Sequence, residues 1–225
     1  MRRYLMRLTA MLGPLLIAAG LTLGLSAPAQ AQLTAGKDYV LVKPPQPTES
    51  GARIEVLEFF WYGCPHCANL QPFLEAWLKR KPADVDFRHM PAVFQDSWVP
   101  LTRAYYTLEA MGLTDRLHQE LFNAIHKNKA SLRDANAIID WAAGKGVDRK
   151  RFSDTYNSFG INGRLQRSID LTRKYDIPGT PAIAVDGKYI TAPSMVLKGD
   201  RVIDYDRFFQ VVDALIAEAR KSKGR

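Results

Sequence analysis

Hydrophobic positions along the chain switch period twice, and each switch marks a change of element. Tyr39-Val40-Leu41-Val42 predicts a short strand. Lys43 to Gly51 predicts a loop, since Pro44, Pro45 and Pro47 cannot donate to a central ladder. Arg53 to Trp61 predicts a strand apolar enough to be buried on both faces, with Ile54, Val56, Glu58 and Phe60 alternating onto one side. From Pro65 the period becomes helical. Leu70, Phe73, Leu74, Trp77 and Leu78 share a face expected to be core, and Pro72 lies inside, where a kink is expected. Val85 to His89 predicts the next strand.

Between Trp98 and about Tyr175 the pattern stays helical. Leu101, Tyr105 and Leu108 form one stripe, and Leu113, Leu117, Leu121 and Ile125 another. Ser131 is the expected cap of a segment carrying Ile138, Ile139 and Ala142 that Gly144 and Gly146 stop. Phe152, Tyr156 and Phe159 continue the pattern, followed by Ile161, Leu165 and Ile169; such stripes are packing surfaces. Strands return at Ala182 to Val185 and Lys188 to Ile190 around Asp186-Gly187, a hairpin signal. A final amphipathic helix runs from Asp204 or Tyr205 to Arg220. The order is β-β-α-β, a block of helices, then β-β-α.

Ahead of this pattern, Arg2, Arg3 and Arg7 precede an uncharged apolar run from Leu8 to Leu25, and Ala29-x-Ala31 supplies the small residues of a cleavage site. Residues 1–31 are therefore expected to be a cleaved signal peptide. Gly13, Pro14, Gly20 and Gly24 weaken the alternative, a permanent membrane anchor. Removing this segment lowers the net charge from +8 to +5. The remaining excess is scattered at helix ends such as Lys79-Arg80-Lys81, without interleaved aromatics, so no nucleic-acid partner is expected. An exported chain meets an oxidising compartment, expected to be a bacterial periplasm, where disulfides persist.

That matters because the chain has 2 cysteines, both in Cys64-Pro65-His66-Cys67, at the junction of a predicted strand and helix. Two cysteines so spaced can form a small disulfide ring. The helix N-terminus turns unpaired N–H groups and partial positive charge on Cys64, which predicts a low-pKa nucleophilic thiolate there. Pro65 fits the first helical position, where a missing N–H costs nothing. His66 is expected to add to the stabilisation, and Cys67, one turn deeper, to be the buried resolving thiol. Two other readings stand beside this one: a metal half-site using Cys64, His66 and Cys67, short of a zinc tetrahedron, and a pair of inert core thiols. Glu58 is a carboxylate within a run of Val, Leu and Phe. Buried without a partner it would stay neutral and could move a proton on and off Cys67; on an exposed edge it would have no role. His89, His118 and His126 show no partner in the sequence and are expected to be ordinary surface or core residues.

The stretch Phe59-Phe60-Trp61-Tyr62-Gly63-Cys64-Pro65-His66-Cys67 resembles the active site of the DsbA family of periplasmic thiol:disulfide interchange proteins. The likeness extends to Glu58, to Pro72 and to Thr180-Pro181 before the hairpin. It implies an α/β thioredoxin fold with an inserted all-helical domain: 32–97 and 176–225 as the thioredoxin-like part, 98–175 as the insertion. It also implies a cis-proline loop at Thr180-Pro181 that receives an extended substrate. The one departure concerns Glu58. Family members carry a lysine near it, whereas this strand reads Asp86-Phe87-Arg88-His89, which leaves Arg88 as the candidate substitute.

The function so implied is a thiol:disulfide oxidase that donates a Cys64–Cys67 disulfide to unfolded or reduced exported proteins. It would use no cofactor or metal beyond that disulfide, act as a monomer, and be reoxidised by a quinone-linked membrane partner of the DsbB type. A reductase or isomerase on the same fold, a Cys/His metal-binding module and a redox-silent peptide-binding chaperone are the alternatives.

Overall fold

The apolar run ahead of the cysteines becomes the centre of a mixed sheet. The computed structural model describes residues 33–224; the expected signal peptide, 1–31, and its cleavage point lie outside them. The strands are β1 (Val40–Leu41), β2 (Ile54–Phe60), β3 (Val85–Pro91), β4 (Ala182–Val185) and β5 (Tyr189–Thr191), in spatial order β1-β5-β4-β2-β3. β2 runs parallel to β3 and antiparallel to β4, and all 7 of its residues are buried. The helices are α1 (Pro65–Arg80), α2 (Val99–Ala110), α3 (Thr114–His126), α4 (Ala135–Gly144), α5 (Arg149–Tyr156), α6 (Phe159–Lys174) and α7 (Tyr205–Ser222).

Alternation along β2 sorts its side chains into separate cores. Ile54 and Val56 join Leu70, Leu74 and Trp77 of α1 and Phe208, Val212 and Leu215 of α7. Leu57 and Phe59 face the other way, onto Ala182, Ala184, Tyr175 and Ile177. Helices α2 to α6 intervene between β3 and β4 and pack around Leu108, Leu121, Phe122, Ile138 and Phe152. Phe60, Tyr62 and Cys67 belong to this same cluster, so the helical block, not only the sheet, buries the second cysteine. Among the described residues no helix is long and apolar enough to cross a membrane.

Three local expectations are corrected, and one element is added. Phe73 is 41% exposed and stacks on Tyr205 at 4.1 Å instead of entering the core. Phe159 is 88% exposed, because it opens α6 rather than continuing α5. α4 is capped by Asp134, whose carboxylate accepts the Ala137 N–H, and not by Ser131, which lies in the preceding loop. Finally, β6 (Leu197–Lys198) and β7 (Val202–Ile203) form a small hairpin before α7 that no periodicity announced, each strand being 2 residues long. α1 runs as one helix through Pro72.

Candidate active site at the head of α1

Cys64 is the N-cap of α1, in extended conformation, with Pro65 entering the first turn. Nothing in its side chain caps the helix, so the first N–H groups stay free to face the sulfur. The thiol is drawn down from the ordinary value of 9.0 to about 5. The largest cause is a hydrogen bond from the Cys67 thiol; the Thr180 hydroxyl and the N–H groups of Cys67 and His66 add to it, against partial burial. Cys67 is fully buried and moves the opposite way, raised first by burial and then by its bond to Cys64 and the charge there. Two thiols one turn apart are thus made chemically unlike by position alone.

Thr180 and Pro181 meet this pair from the far end of the chain. The Thr180–Pro181 bond is cis, and the Cys64 Sγ–H donates to the Thr180 carbonyl at 3.3 Å. A groove of about 280 Å³ opens beside them, walled by His66, Gly179, Thr180, Pro193, Leu197 and Arg201. Leu197 and Val202 of the unforeseen hairpin present apolar surface there or beside it, 48% and 60% exposed. Pro65 and His66 are both exposed. His66 contributes to the Cys64 thiolate through its backbone N–H.

Glu58 lies fully buried beneath α1, and it has partners. Gln71 Nε2 donates to its Oε1 at 3.1 Å and also reaches the Cys67 carbonyl at 3.5 Å, so one amide spans the carboxyl and the resolving cysteine. His89 Nδ1 stands 2.5 Å from the other oxygen, Oε2. Arg88, the candidate from sequence, turns away and pairs with Glu49, Glu55 and Asp86. Register explains the exchange. His89 is opposite Glu58 in the β2/β3 ladder and Arg88 is opposite Leu57, so Arg88 shares a face with Glu55 and His89 with Glu58.

The other two histidines are not partnerless either. His118 packs on His89 with ring centroids 4.5 Å apart, and its Nδ1 lies 2.7 Å from the Tyr62 hydroxyl. Burial, and then His89, hold His118 well below the ordinary imidazole value, while burial raises Tyr62; the tyrosine O–H therefore donates to a neutral ring. His126 Nε2 donates to the Tyr62 carbonyl at 2.7 Å. The partners of His118 and His126 were invisible to sequence reasoning because α3 meets residues far away in the chain, and that of Gln71 because it depends on how α1 sits on β2. Among the described residues no three His, Cys, Asp or Glu side chains gather as a metal-ion site.

The geometry finds its counterparts among known proteins. A family model described as a DSBA-like thioredoxin domain matches residues 89–215. The thiol:disulfide interchange protein DsbA of Burkholderia cepacia is 41% identical over 185 residues, 82% of this chain and 87% of that protein. That of Bordetella parapertussis is 43% identical over 197 residues, covering 88% and 91%. The crystal structure of Pseudomonas aeruginosa DsbA superposes with a TM-score of 0.79 at 37% identity, covering 86% of this chain and 97% of that one.

Proposed function

The chain belongs to the DsbA-like thioredoxin family of thiol:disulfide oxidoreductases, and from that premise we propose how its own residues perform the exchange. The observation that carries the reading is the opposed tuning of Cys64, down to about 5, and Cys67, upward. In the oxidised protein a client thiolate attacks Cys64 Sγ, breaking the Cys64–Cys67 bond and forming a mixed disulfide. The electron pair leaves on Cys67, whose buried site disfavours a thiolate, so a proton must follow. Glu58, tied to Cys67 through Gln71 and backed by His89, is placed to deliver it. A second client thiolate then attacks the client sulfur of the mixed disulfide and expels Cys64, a good leaving group because its thiolate is stable. The client leaves with a new disulfide; the protein keeps two electrons as a Cys64 thiolate and a Cys67 thiol.

The Thr180–Pro181 loop and its groove are the seat of the extended client segment, with the Thr180 backbone beside the reacting sulfur. The rest of the cycle follows from family membership and the N-terminal pattern. Residues 1–31 export the chain to the periplasm and are removed, the helices of 98–175 act as an inserted domain, and the protein works as a monomer. Reduced protein is returned to the disulfide by a quinone-linked membrane partner of the DsbB type. Equilibration with glutathione tests the direction: an oxidase holds its thiols reduced in buffers where glutathione is largely oxidised. A disulfide that persists against excess reduced glutathione would make this a reductase instead.

A further inference from the structure

A second groove, of about 570 Å³, reaches Gly63 and shares no lining residue with the groove beside Thr180–Pro181. Its walls are Trp61 and Gly63 before the nucleophile, Ser97 ahead of α2, and Lys129, Ser131 and Arg133 in the α3–α4 loop. Lys129, Ser131 and Arg133 are exposed. Among the described residues neither cation has an ion-pair partner, whereas Arg53, Arg80, Arg88, Arg149, Arg164, Arg167, Arg207 and Arg220 each have one. No carboxylate lines the groove. Asp134 flanks it but is engaged in capping α4, accepting the Ala137 N–H at 3.0 Å.

The wall nearest the nucleophile is built rather than incidental. Trp61 stacks on Trp98 with centroids 4.3 Å apart and planes 6° from parallel. Gly63 is the only residue type that fits beneath it, since a Cβ there would lie 2.3 Å from the Trp61 ring. The Trp61 indole N–H is buried without a hydrogen-bond partner. A flat aromatic wall, two seryl hydroxyls and the two cations thus line a groove that reaches Gly63, the residue before the nucleophile.

We propose that this groove is a second client subsite that takes an acidic stretch of polypeptide flanking the reacting cysteine, its carboxylates meeting Lys129 and Arg133. The charge is the argument: a surface offering cations and donors, with no acceptor of its own sign to satisfy them, is complementary to Asp and Glu. The inference rests on the reading of Cys64 as the client-oxidising thiol and extends it to client choice. Clients with acidic residues beside the cysteine bind preferentially and, because the cations are exposed, do so most at low salt.

Binding of paired peptides tests it without any redox step. One peptide carries Asp and Glu around a Ser in place of the cysteine, and its neutral twin carries Asn and Gln; titration is followed by tryptophan fluorescence. The acidic peptide is expected to bind about fivefold tighter, the worth of two exposed ion pairs, and Lys129→Gln/Arg133→Gln to erase the difference. Lys129→Glu/Arg133→Glu is expected to reverse it in favour of a lysine-bearing peptide. Equal binding by the wild type, or a preference that survives both double variants, overturns the subsite. Oxidation of dithiothreitol by the same preparations reads Cys64 alone, and its absence would count against the oxidase, separately from the groove.

Discussion

His89 Nδ1 and Glu58 Oε2 are 2.5 Å apart because the two residues occupy opposite positions of the parallel β2/β3 ladder. The pair lies under the resolving cysteine, and Gln71 connects it to the Cys67 backbone. A crevice of about 200 Å³ beside it, lined by Gln71, Glu75, His89, Tyr105, Asp115 and His118, gives the imidazole a way to water.

Removal of either member is therefore expected to slow turnover and spare the nucleophile. Glu58→Gln and His89→Gln should each lower client oxidation about a hundredfold, at the weak end for loss of a positioned proton carrier. The rate of Cys64 alkylation should not move in either variant. Stopped-flow oxidation of a peptide substrate, set against iodoacetamide labelling, separates the two effects. Unchanged turnover in both variants would return the pair to a structural role.

Arg88 should behave differently, as a residue of stability. It pairs with Glu55, which is 3% exposed and held above the ordinary carboxylate range chiefly by burial. Its loss leaves that carboxyl with the Glu49 N–H at 2.9 Å. Arg88→Ala is expected to cost about 1–3 kcal/mol in urea unfolding, with turnover per folded molecule intact. A variant that slows turnover at wild-type stability would mean Arg88 serves the relay after all.

How far the sequence disclosed this arrangement depends on the range over which each signal acts. Cys64 and Cys67 were legible because helix start, proline and nucleophile fall within four consecutive residues, and the β2 burial because its pattern is local. The Glu58 partner was not, since naming Arg88 or His89 requires the β2/β3 register, a long-range quantity on which a one-residue slip inverts every face. Once Glu55 is seen to share a face with Leu57, opposite Arg88, the assignment to His89 follows. His118 and Gln71 come from helices whose placement no periodicity states. The β6/β7 hairpin was missed because two-residue strands carry no pattern.

Unequal tuning of the thiols predicts unequal labelling. At pH 7 Cys64 should alkylate quickly and Cys67 hardly at all, and the Cys64 rate should titrate with a midpoint near 5. Cys67→Ser should accumulate mixed disulfides with client proteins, as no internal thiol remains to reverse them. Mass spectrometry of pulse-labelled protein reads both, and equal rates at the two positions would sink the division of roles.

Gly63 tests the wall of the second groove. Gly63→Ala places a Cβ where the Trp61 ring now lies, so the Trp61–Trp98 stack must open. The expected cost is about 1–3 kcal/mol, that of overpacking, with a change in near-ultraviolet circular dichroism from the separated indoles. A variant with wild-type stability and spectrum would show that the stack yields freely and that the groove lacks a fixed wall.

The direction of the chemistry should appear in stability against pH. A disulfide closing so short a ring restricts the unfolded chain little, so its entropic contribution is small. The reduced protein instead gains a thiolate held by the Cys67 thiol, the Thr180 hydroxyl and the first N–H groups of α1. Because the folded-state value lies below the unfolded one, this stabilisation is fully present above the unfolded thiol value of 9.0. It is lost progressively as pH falls through the folded value of about 5. The reduced form is thus expected to be the more stable at neutral pH, with its advantage over the oxidised form shrinking from about pH 9 to about pH 5 and gone below. Thr180→Val, which removes one donor, should raise the lower limit of that window, whereas His66→Ala should leave it nearly in place, since His66 takes part through its N–H. Denaturant unfolding of both redox forms at each pH is the measurement. A gap that persists unchanged below pH 5 would mean the thiolate is not its source, and a more stable oxidised form at pH 7 would reverse the direction of exchange.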